Sequence, residues 1–172
     1  MSTAMLDIRL LDVRAHDRST FSCGVPALDD YLKQHASRHG GQGISATYIA
    51  AAIGSSLPAS IIGYYTLSAC TLDLAALQAT LPPSPAKKLP RFPDIPATLL
   101  GRLAVAIGHQ KKGYGEVLLM DALKRSKRVA KEVSSYALVV DAKDAVVAAF
   151  YAHYGFVSLS PQHLFLPFAN VP

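Results

Sequence analysis

One stretch of the chain, residues 98–119, combines a strand pattern, a glycine-containing turn and a helix pattern in immediate succession. The run from Thr98 to Val105 is β-favouring and mostly apolar, and a helical pattern starts near Glu116. Glycine at a strand-to-helix turn lets a ligand approach the backbone closely, and the free N–H groups at the helix N-terminus attract an anion. We therefore expect a site for a diphosphate, formed by Gln110, Lys111, Lys112, Gly113, Tyr114 and Gly115.

The spacing of these six residues is Gln-x-x-Gly-x-Gly. It lacks the Gly-Lys-Ser/Thr end of a Walker loop and the Gly-x-Gly-x-x-Gly spacing of a dinucleotide-binding turn. It resembles the coenzyme A pyrophosphate loop of the GNAT acetyltransferases, whose pattern is Gln/Arg-x-x-Gly-x-Gly/Ala. Since a strand-to-helix turn also carries glycines for steric reasons alone, the rest of the chain has to distinguish the two interpretations.

Length and composition exclude several classes of protein. At 172 residues and 51% apolar composition, the chain predicts a single domain over residues 1–172 with a substantial core. The absence of a long uncharged apolar run and the charges near the start predict a cytoplasmic protein with no membrane span and no signal peptide. Cys23 and Cys70 lack metal-ligand spacing, so no metal is expected, and the net charge of +5 is compatible with an anionic partner.

Hydrophobic periodicity predicts an α+β fold. The predicted strands are Met5–Val13, Ser45–Ile53, Ser60–Ser68, Thr98–Val105, Ser134–Val140, Phe156–Leu159 and His163–Phe168. Helices are predicted from Pro26 to Gly40-Gly41, briefly after Asp73, from near Glu116 to Ala130, and after Asp141 or Asp144. The proline-rich residues 81–96 are predicted to form an exposed, stiff loop. This order indicates one mixed, mostly antiparallel sheet flanked by helices.

A second motif follows one strand and one helix later. Residues Ala149–Phe156, AFYAHYGF, resemble the Ala-x-x-Phe-Tyr-x-x-x-Gly-Phe signature of GNAT enzymes. Further segments are similar to the GNAT toxins of toxin–antitoxin modules, the TacT and AtaT type: Phe21-x-Cys23-Gly24, Leu28-Asp29-x-Tyr31-Leu32, Tyr64-Tyr65-Thr66-Leu67, Leu89-Pro90-Arg91 and Leu100-Gly101-Arg102-Leu103-Ala104-Val105. The chain departs from the pattern at Ala106, where such toxins often have Asp, and at Lys111 in the loop.

The resemblance implies the GNAT fold and a toxin that transfers acetyl from acetyl-CoA to the α-amino group of aminoacyl-tRNA, which stops translation. It also implies a ribbon-helix-helix antitoxin as partner and a homodimer.

The same resemblance assigns residues to the reaction. Tyr151 would be the general acid for the coenzyme A thiolate, although an aromatic packing role is the alternative. The cofactor would contact the loop residues 110–115, the strand Leu103, Ala104 and Val105, and Phe150.

Six cations are candidates for contact with RNA. They are Lys33, Arg38, Lys87, Lys88, Arg91 and Arg102. For the three in the proline-rich segment, a solvated surface is an equal alternative. His35 lies among apolar neighbours and is interpreted as a packing residue.

Two other functions share these motifs. One is a GNAT N-acetyltransferase that acts on a small amine or a protein amino group, which requires no basic surface. The other is a GNAT-like module without activity that binds a partner or nucleic acid.

Overall fold

The computed structural model describes residues 5–172. Its strands are β1 Leu6–Leu10, β2 His16–Asp17, β3 Ala46–Ala52, β4 Ala59–Ser60, β5 Gly63–Asp73, β6 Asp94–Val105, β7 Ala137–Asp141, β8 Val157–Ser158 and β9 His163–Pro167. Its α-helices are α1 Pro26–Asp30, α2 Ala36–Gly41, α3 Leu74–Thr80, α4 Pro83–Lys87, α5 Tyr114–Val129 and α6 Ala145–His153. A π-helical turn, Tyr31–His35, separates α1 from α2, and short 3-10 turns occupy Ile107–His109 and Phe168–Asn170.

Seven strands form one sheet in the order β1-β3-β5-β6-β7-β9-β8, and β2 pairs with β4 separately. β3 is antiparallel to β1 and β5, and β9 is antiparallel to β7 and β8. β6 and β7 are parallel, with Leu99 opposite Val139. The sheet is therefore mixed and mostly antiparallel, and the predicted α+β class is confirmed.

The chain forms two compact units, each built from two segments. The first contains the residues up to Ser68 together with Gly101–Ala122. Its core includes Phe21, Leu32, Ile49 and Tyr64. The buried Tyr64 hydroxyl donates a hydrogen bond to the carbonyl of Leu28 at 2.6 Å, so this polar group is satisfied inside the apolar cluster.

The second unit contains Ala69–Leu100 and Leu123–Pro172. Leu77, Val139 and Phe165 are buried in its core. Helix α6 begins after Asp144, whose carboxylate accepts the N–H of Val147 at 2.8 Å. Of the two acids predicted to open this helix, Asp144 is therefore the N-cap.

The proline-rich segment was predicted as a loop, and this prediction was wrong for part of it. Pro83–Lys87 forms helix α4, and β6 already starts at Asp94. A proline fits the first turn of a helix because no N–H is needed there. The N–H of Ala86 donates to the carbonyl of Pro82 at 3.0 Å, and Leu89 packs on the core of the second unit. Packing and helix geometry thus order this segment.

Some predicted boundaries shift. Helix α5 begins at Tyr114 rather than near Glu116, and β7 begins at Ala137 rather than Ser134. Strand β1 ends at Leu10 rather than Val13, because the N–H groups of Ala15 and His16 both donate to the carbonyl of Asp12 in a turn.

Within residues 5–172, no helix is long and apolar enough to cross a membrane. The same residues contain no group of three or more His, Cys, Asp or Glu side chains that could hold a metal ion. Cys23 and Cys70 are free thiols, the first buried and the second partly buried.

Candidate active site

The turn from Gln110 to Gly115 contains two residues in the left-handed backbone conformation. Lys111 has φ of 61° and Gly113 has φ of 85°. Positive φ is uncommon for a lysine, and such strained residues cluster at ligand-binding turns. Left-handed residues in a turn direct neighbouring N–H groups to one side and create a concavity that suits an anion. Two left-handed residues directly before the N-terminus of a helix are a backbone arrangement that an anion-binding turn can use.

The three residues directly before α5 are open to solvent. Lys111, Lys112 and Gly113 are exposed, and a Cβ on Gly113 would meet no atom within 4 Å. Glycine is therefore favoured at position 113 by its backbone angle and not by crowding. The Lys112 ammonium donates to the carbonyl of Gly108 at 3.1 Å, so this side chain folds back onto the turn.

Two of the predicted loop side chains have internal roles. Tyr114 is buried at the first position of α5, and its ring meets the His109 ring edge-on at 5.9 Å. The Gln110 side-chain amide donates to the carbonyls of Cys23 at 2.8 Å and Val105 at 2.9 Å. The backbone N–H of Gln110 donates to the carbonyl of Ile107 at 3.4 Å, and the two side chains shape the turn.

The segment Ser22–Gly24 is hydrogen-bonded to the turn, and the sequence did not predict this contact. The carbonyl of Ser22 accepts a hydrogen bond from the N–H of Ile107 at 2.9 Å. The carbonyl of the next residue, Cys23, accepts the bond from the Gln110 side chain. Gly24 has φ of 88°. The Phe21-x-Cys-Gly motif was visible in the sequence, but its contact with residues 107–110 depends on tertiary structure.

The end of β6 lies against β5 at a point of close backbone approach. A Cβ on Gly63 would come within 2.7 Å of the Ala104 carbonyl oxygen and 2.8 Å of a Leu118 methyl carbon. The N–H of Ala106 donates to the carbonyl of Ile62 at 2.8 Å. Ala104 is buried, while Leu103 and Val105 are half-buried. The three predicted cofactor-contacting residues thus share the first unit with the loop 110–115.

Tyr151 and Phe150 belong to the second unit, near the end of α6. Tyr151 is 5% exposed, and its ring packs between the rings of Phe150 at 5.2 Å and Phe156 at 5.4 Å. Burial raises the pKa of the Tyr151 hydroxyl to about 12, and the negative charge of Asp141 adds to the effect. The hydroxyl therefore keeps its proton at neutral pH, which a general acid requires.

The predicted RNA-contacting cations occupy both units. Lys33, Arg38, Lys87, Lys88 and Arg91 are exposed. Arg102 is half-buried, and its guanidinium carbon lies 3.4 Å above the centre of the Tyr31 ring. Arg38 and Arg102 are both in the first unit, whereas the two lysines 87 and 88 and Arg91 are in the second.

No known family profile matches the chain. Among curated proteins, a tRNA-acetylating toxin of Mycobacterium tuberculosis is 33% identical over 155 residues, covering 88% of this chain and 86% of the relative. A probable toxin TacT of Sinorhizobium fredii is 26% identical over 173 residues, covering 95% of this chain and 92% of the relative.

Solved structures of AtaT are similar over nearly the whole chain. AtaT complexed with acetyl-methionyl-tRNAfMet has a TM-score of 0.85 at 29% identity and covers 97% of both chains. AtaTR bound with acetyl-CoA has a TM-score of 0.79 at 29% identity, covering 95% of this chain and 94% of that one. A tyrosine-to-phenylalanine variant of AtaT bound to the C-terminus of the antitoxin AtaR has a TM-score of 0.78 at 27% identity, with the same coverage. The chain therefore belongs to the GNAT-type acetyltransferase toxins of toxin–antitoxin modules, the family of the tRNA-acetylating toxins.

Proposed function

We propose that this chain is an acetyl-CoA-dependent N-acetyltransferase that acetylates the α-amino group of aminoacyl-tRNA and thereby blocks translation. The observation that carries this proposal is the pair of left-handed residues, Lys111 and Gly113, at the start of α5 in a chain of this family. A relative named for tRNA acetylation and AtaT structures with acetyl-CoA and acetyl-methionyl-tRNAfMet support the same reaction.

Acetyl-CoA would be held by backbone groups more than by side chains. The backbone of residues 110–115 would hold the diphosphate at the N-terminus of α5, and the ammonium groups of Lys111 and Lys112 would add positive charge. Leu103, Ala104 and Val105 offer main-chain hydrogen bonds to the pantetheine arm and a donor to the thioester carbonyl. Phe150 supplies an apolar contact.

The acceptor amine needs little activation. A free α-amino group has a pKa of about 7.7 to 8.0, so a useful fraction is neutral near pH 7 and attacks the thioester carbonyl directly. The carbon–sulfur bond then breaks, and the leaving thiolate takes a proton from the Tyr151 hydroxyl. The attacking nitrogen gives its extra proton to water, and the Tyr151 phenolate regains a proton from water, so that the products are the amide and the free thiol. The Tyr151 hydroxyl is protonated at neutral pH, as this role requires, although its raised pKa makes it a weaker acid than an ordinary tyrosine.

The remaining parts of the proposal concern assembly. A ribbon-helix-helix antitoxin is the expected partner, in keeping with the AtaT structure bound to the C-terminus of the antitoxin AtaR. The toxin would act in the cytoplasm as a homodimer, and residues 1–172 would form one GNAT domain in which Tyr151 and the loop 110–115 serve the same reaction.

The test is transfer of labelled acetyl from acetyl-CoA to a charged tRNA pool, with uncharged tRNA and a panel of polyamines as parallel acceptors. We expect label on charged tRNA that is released when the aminoacyl ester is hydrolysed. Label on polyamines and none on charged tRNA would replace the toxin with a small-amine acetyltransferase. Absence of acetyl-CoA binding in a thermal-shift assay would instead indicate an inactive GNAT-like module.

A further inference from the structure

A cluster of basic and aromatic side chains lies on the first unit, outside the loop 110–115. It consists of Tyr31, His35, Arg38, His39 and Arg102, and we call it the basic cluster. The Tyr31 hydroxyl and His39 Nδ1 are 3.2 Å apart, and an Arg38 guanidinium nitrogen lies 3.1 Å from His35 Nδ1. Arg102 stacks on the Tyr31 ring. Four of the five side chains are cationic or become cationic on protonation.

A π-helical turn between α1 and α2 brings the residues of this cluster together. Residues Tyr31–His35 form a π-helical turn, in which the N–H of Ala36 bonds to the carbonyl of Tyr31. In a regular α-helix, residues eight apart are displaced by about 80° around the axis. The wider turn reduces that displacement, so that Tyr31 and His39 face each other with ring centres 5.4 Å apart. Single π-helical turns are rare and frequently mark functional sites.

The two arginines of the cluster are not paired with a carboxylate within residues 5–172. Neither Arg38 nor Arg102 forms a salt bridge to an acid in that part of the chain. The pKa of His39 is lowered, first by burial and then by the charges of Arg38, His35 and Arg102, all of which act in the same direction. Cations that repel one another on a surface indicate that the missing partner is an anion.

The contact of Arg102 with an aromatic ring indicates which class of anion the basic cluster binds. The guanidinium carbon of Arg102 lies over the Tyr31 ring at 3.4 Å, and this contact restrains the side chain before a ligand arrives, which lowers the entropy lost on binding. A planar guanidinium with ordered donors matches a phosphate bidentately. Arg102 also directly precedes Leu103, the first of the three β6 residues proposed to hold the acetyl-bearing arm.

Resting on the proposed function, we infer that the basic cluster binds a backbone phosphate of the RNA acceptor, close to the end that carries the amino acid. Of the six cations expected to contact RNA, Arg38 and Arg102 are thereby assigned to one phosphate-binding surface. His35 and His39, which sequence reasoning did not include, are further donors to it. The alternative source of the phosphate is coenzyme A, which the experiment distinguishes.

The experiment compares the double variant Arg38→Gln/Arg102→Gln with the matched double variant Arg128→Gln/Lys131→Gln. Both remove two positive charges, and the second pair is exposed near the end of α5. Fluorescence anisotropy measures the affinity for uncharged bulk tRNA at several salt concentrations, and calorimetry measures the affinity for acetyl-CoA. We expect the cluster variant to bind tRNA about tenfold or more weakly, since bonds between charged groups are lost. The slope of log K against log salt should become shallower by about one to two.

The control variant is expected to keep most of its tRNA affinity, and both variants should bind acetyl-CoA like the parent chain. Unchanged tRNA affinity and salt slope in the cluster variant would overturn the inference. Loss of acetyl-CoA affinity with retained tRNA affinity would assign the cluster to the coenzyme instead. If the cluster variant unfolds, Arg38→Gln/His39→Gln replaces it, because Arg38 is exposed and His39 is partly exposed.

Kinetics separate this inference from the proposed function. With charged tRNA as acceptor, the cluster variant should raise KM about tenfold and leave kcat close to the parent value, since uniform binding is lost. A parent chain that acetylates charged tRNA while the variant keeps its KM would refute the cluster alone. A parent chain that binds tRNA through the cluster without acetylating it would refute the proposed function alone.

Discussion

The side-chain amide of Gln110 donates a hydrogen bond at 2.8 Å to the carbonyl of Cys23, 87 positions earlier in the chain. A second bond from the same amide nitrogen reaches the carbonyl of Val105 at 2.9 Å. One side chain therefore holds the turn against the distant segment at Cys23 and against the nearby end of β6 at Val105. This bracing role explains the glutamine of the loop motif.

Replacing Gln110 with alanine removes both bonds and leaves two carbonyls without this donor. We expect the affinity for acetyl-CoA to fall several-fold and the free energy of unfolding to drop by about 1 kcal/mol. Calorimetric titration and chemical denaturation measure the two quantities. Gln78→Ala, an exposed glutamine on α3, is the matched control. Unchanged acetyl-CoA affinity in Gln110→Ala would show that the brace does not hold the binding conformation.

Gly63 allows β5 and the end of β6 to approach closely. In Gly63→Ala the new methyl group would meet the Ala104 carbonyl oxygen at 2.7 Å and Leu118 at 2.8 Å. We expect a loss of roughly 1–3 kcal/mol in stability, because the backbone contact cannot relax as a side chain would. Thermal and urea unfolding measure it.

Gly41→Ala is the control for this substitution, since a Cβ there meets no atom within 4 Å. It should be neutral or slightly stabilising, as alanine is the better helix former. Equal stability of Gly63→Ala and Gly41→Ala would mean that β5 and β6 move apart to accommodate the new methyl group at little cost in free energy.

Tyr151→Phe tests the general acid directly. The substitution keeps the aromatic packing against Phe150 and Phe156 and removes only the hydroxyl. We expect kcat for acetyl transfer to charged tRNA to fall by about 10² to 10⁴. Acetyl-CoA affinity and melting temperature should stay close to those of the parent chain.

Tyr136→Phe is the corresponding control in a half-buried tyrosine of the same unit and should leave kcat unchanged. Full activity of the Tyr151→Phe variant would show that Tyr151 has only the alternative role, aromatic packing.

The dependence of rate on pH follows from the Tyr151 pKa of about 12. An acid whose pKa is raised stays protonated to higher pH, so this group does not limit the reaction on the alkaline side. The acceptor amine becomes neutral as pH rises through about 7.7 to 8.0. We therefore expect kcat/KM to rise through that range and then reach a plateau, measured as initial rates between about pH 6 and pH 9.5.

A descending limb centred below about pH 9 would contradict this expectation, because it would require a general acid whose pKa is lower than that of an ordinary tyrosine. The Tyr151→Phe variant provides the comparison. Its residual activity should show the same rising limb, since the amine titrates independently of Tyr151.

Periodicity and turn chemistry were enough to predict most of the elements. Strands of alternating or continuous apolar residues and a long amphipathic helix are local patterns, and they predicted the α+β class correctly. Local patterns were weakest at the proline-rich segment. There Leu89 packs on the core of the second unit and α4 forms, although the composition alone indicated an exposed loop.

The sequence by itself determined the turn at residues 110–115 and the order of elements around it, because glycine spacing and hydrophobic period act over a few neighbouring residues. Tertiary structure alone decided what braces that turn, why Gly63 is needed, and which histidines join Arg38 and Arg102. Each of these contacts joins residues that are far apart in the chain or that are brought together by a π-helical turn. Chain folding in three dimensions sets such distances, and no local pattern encodes them.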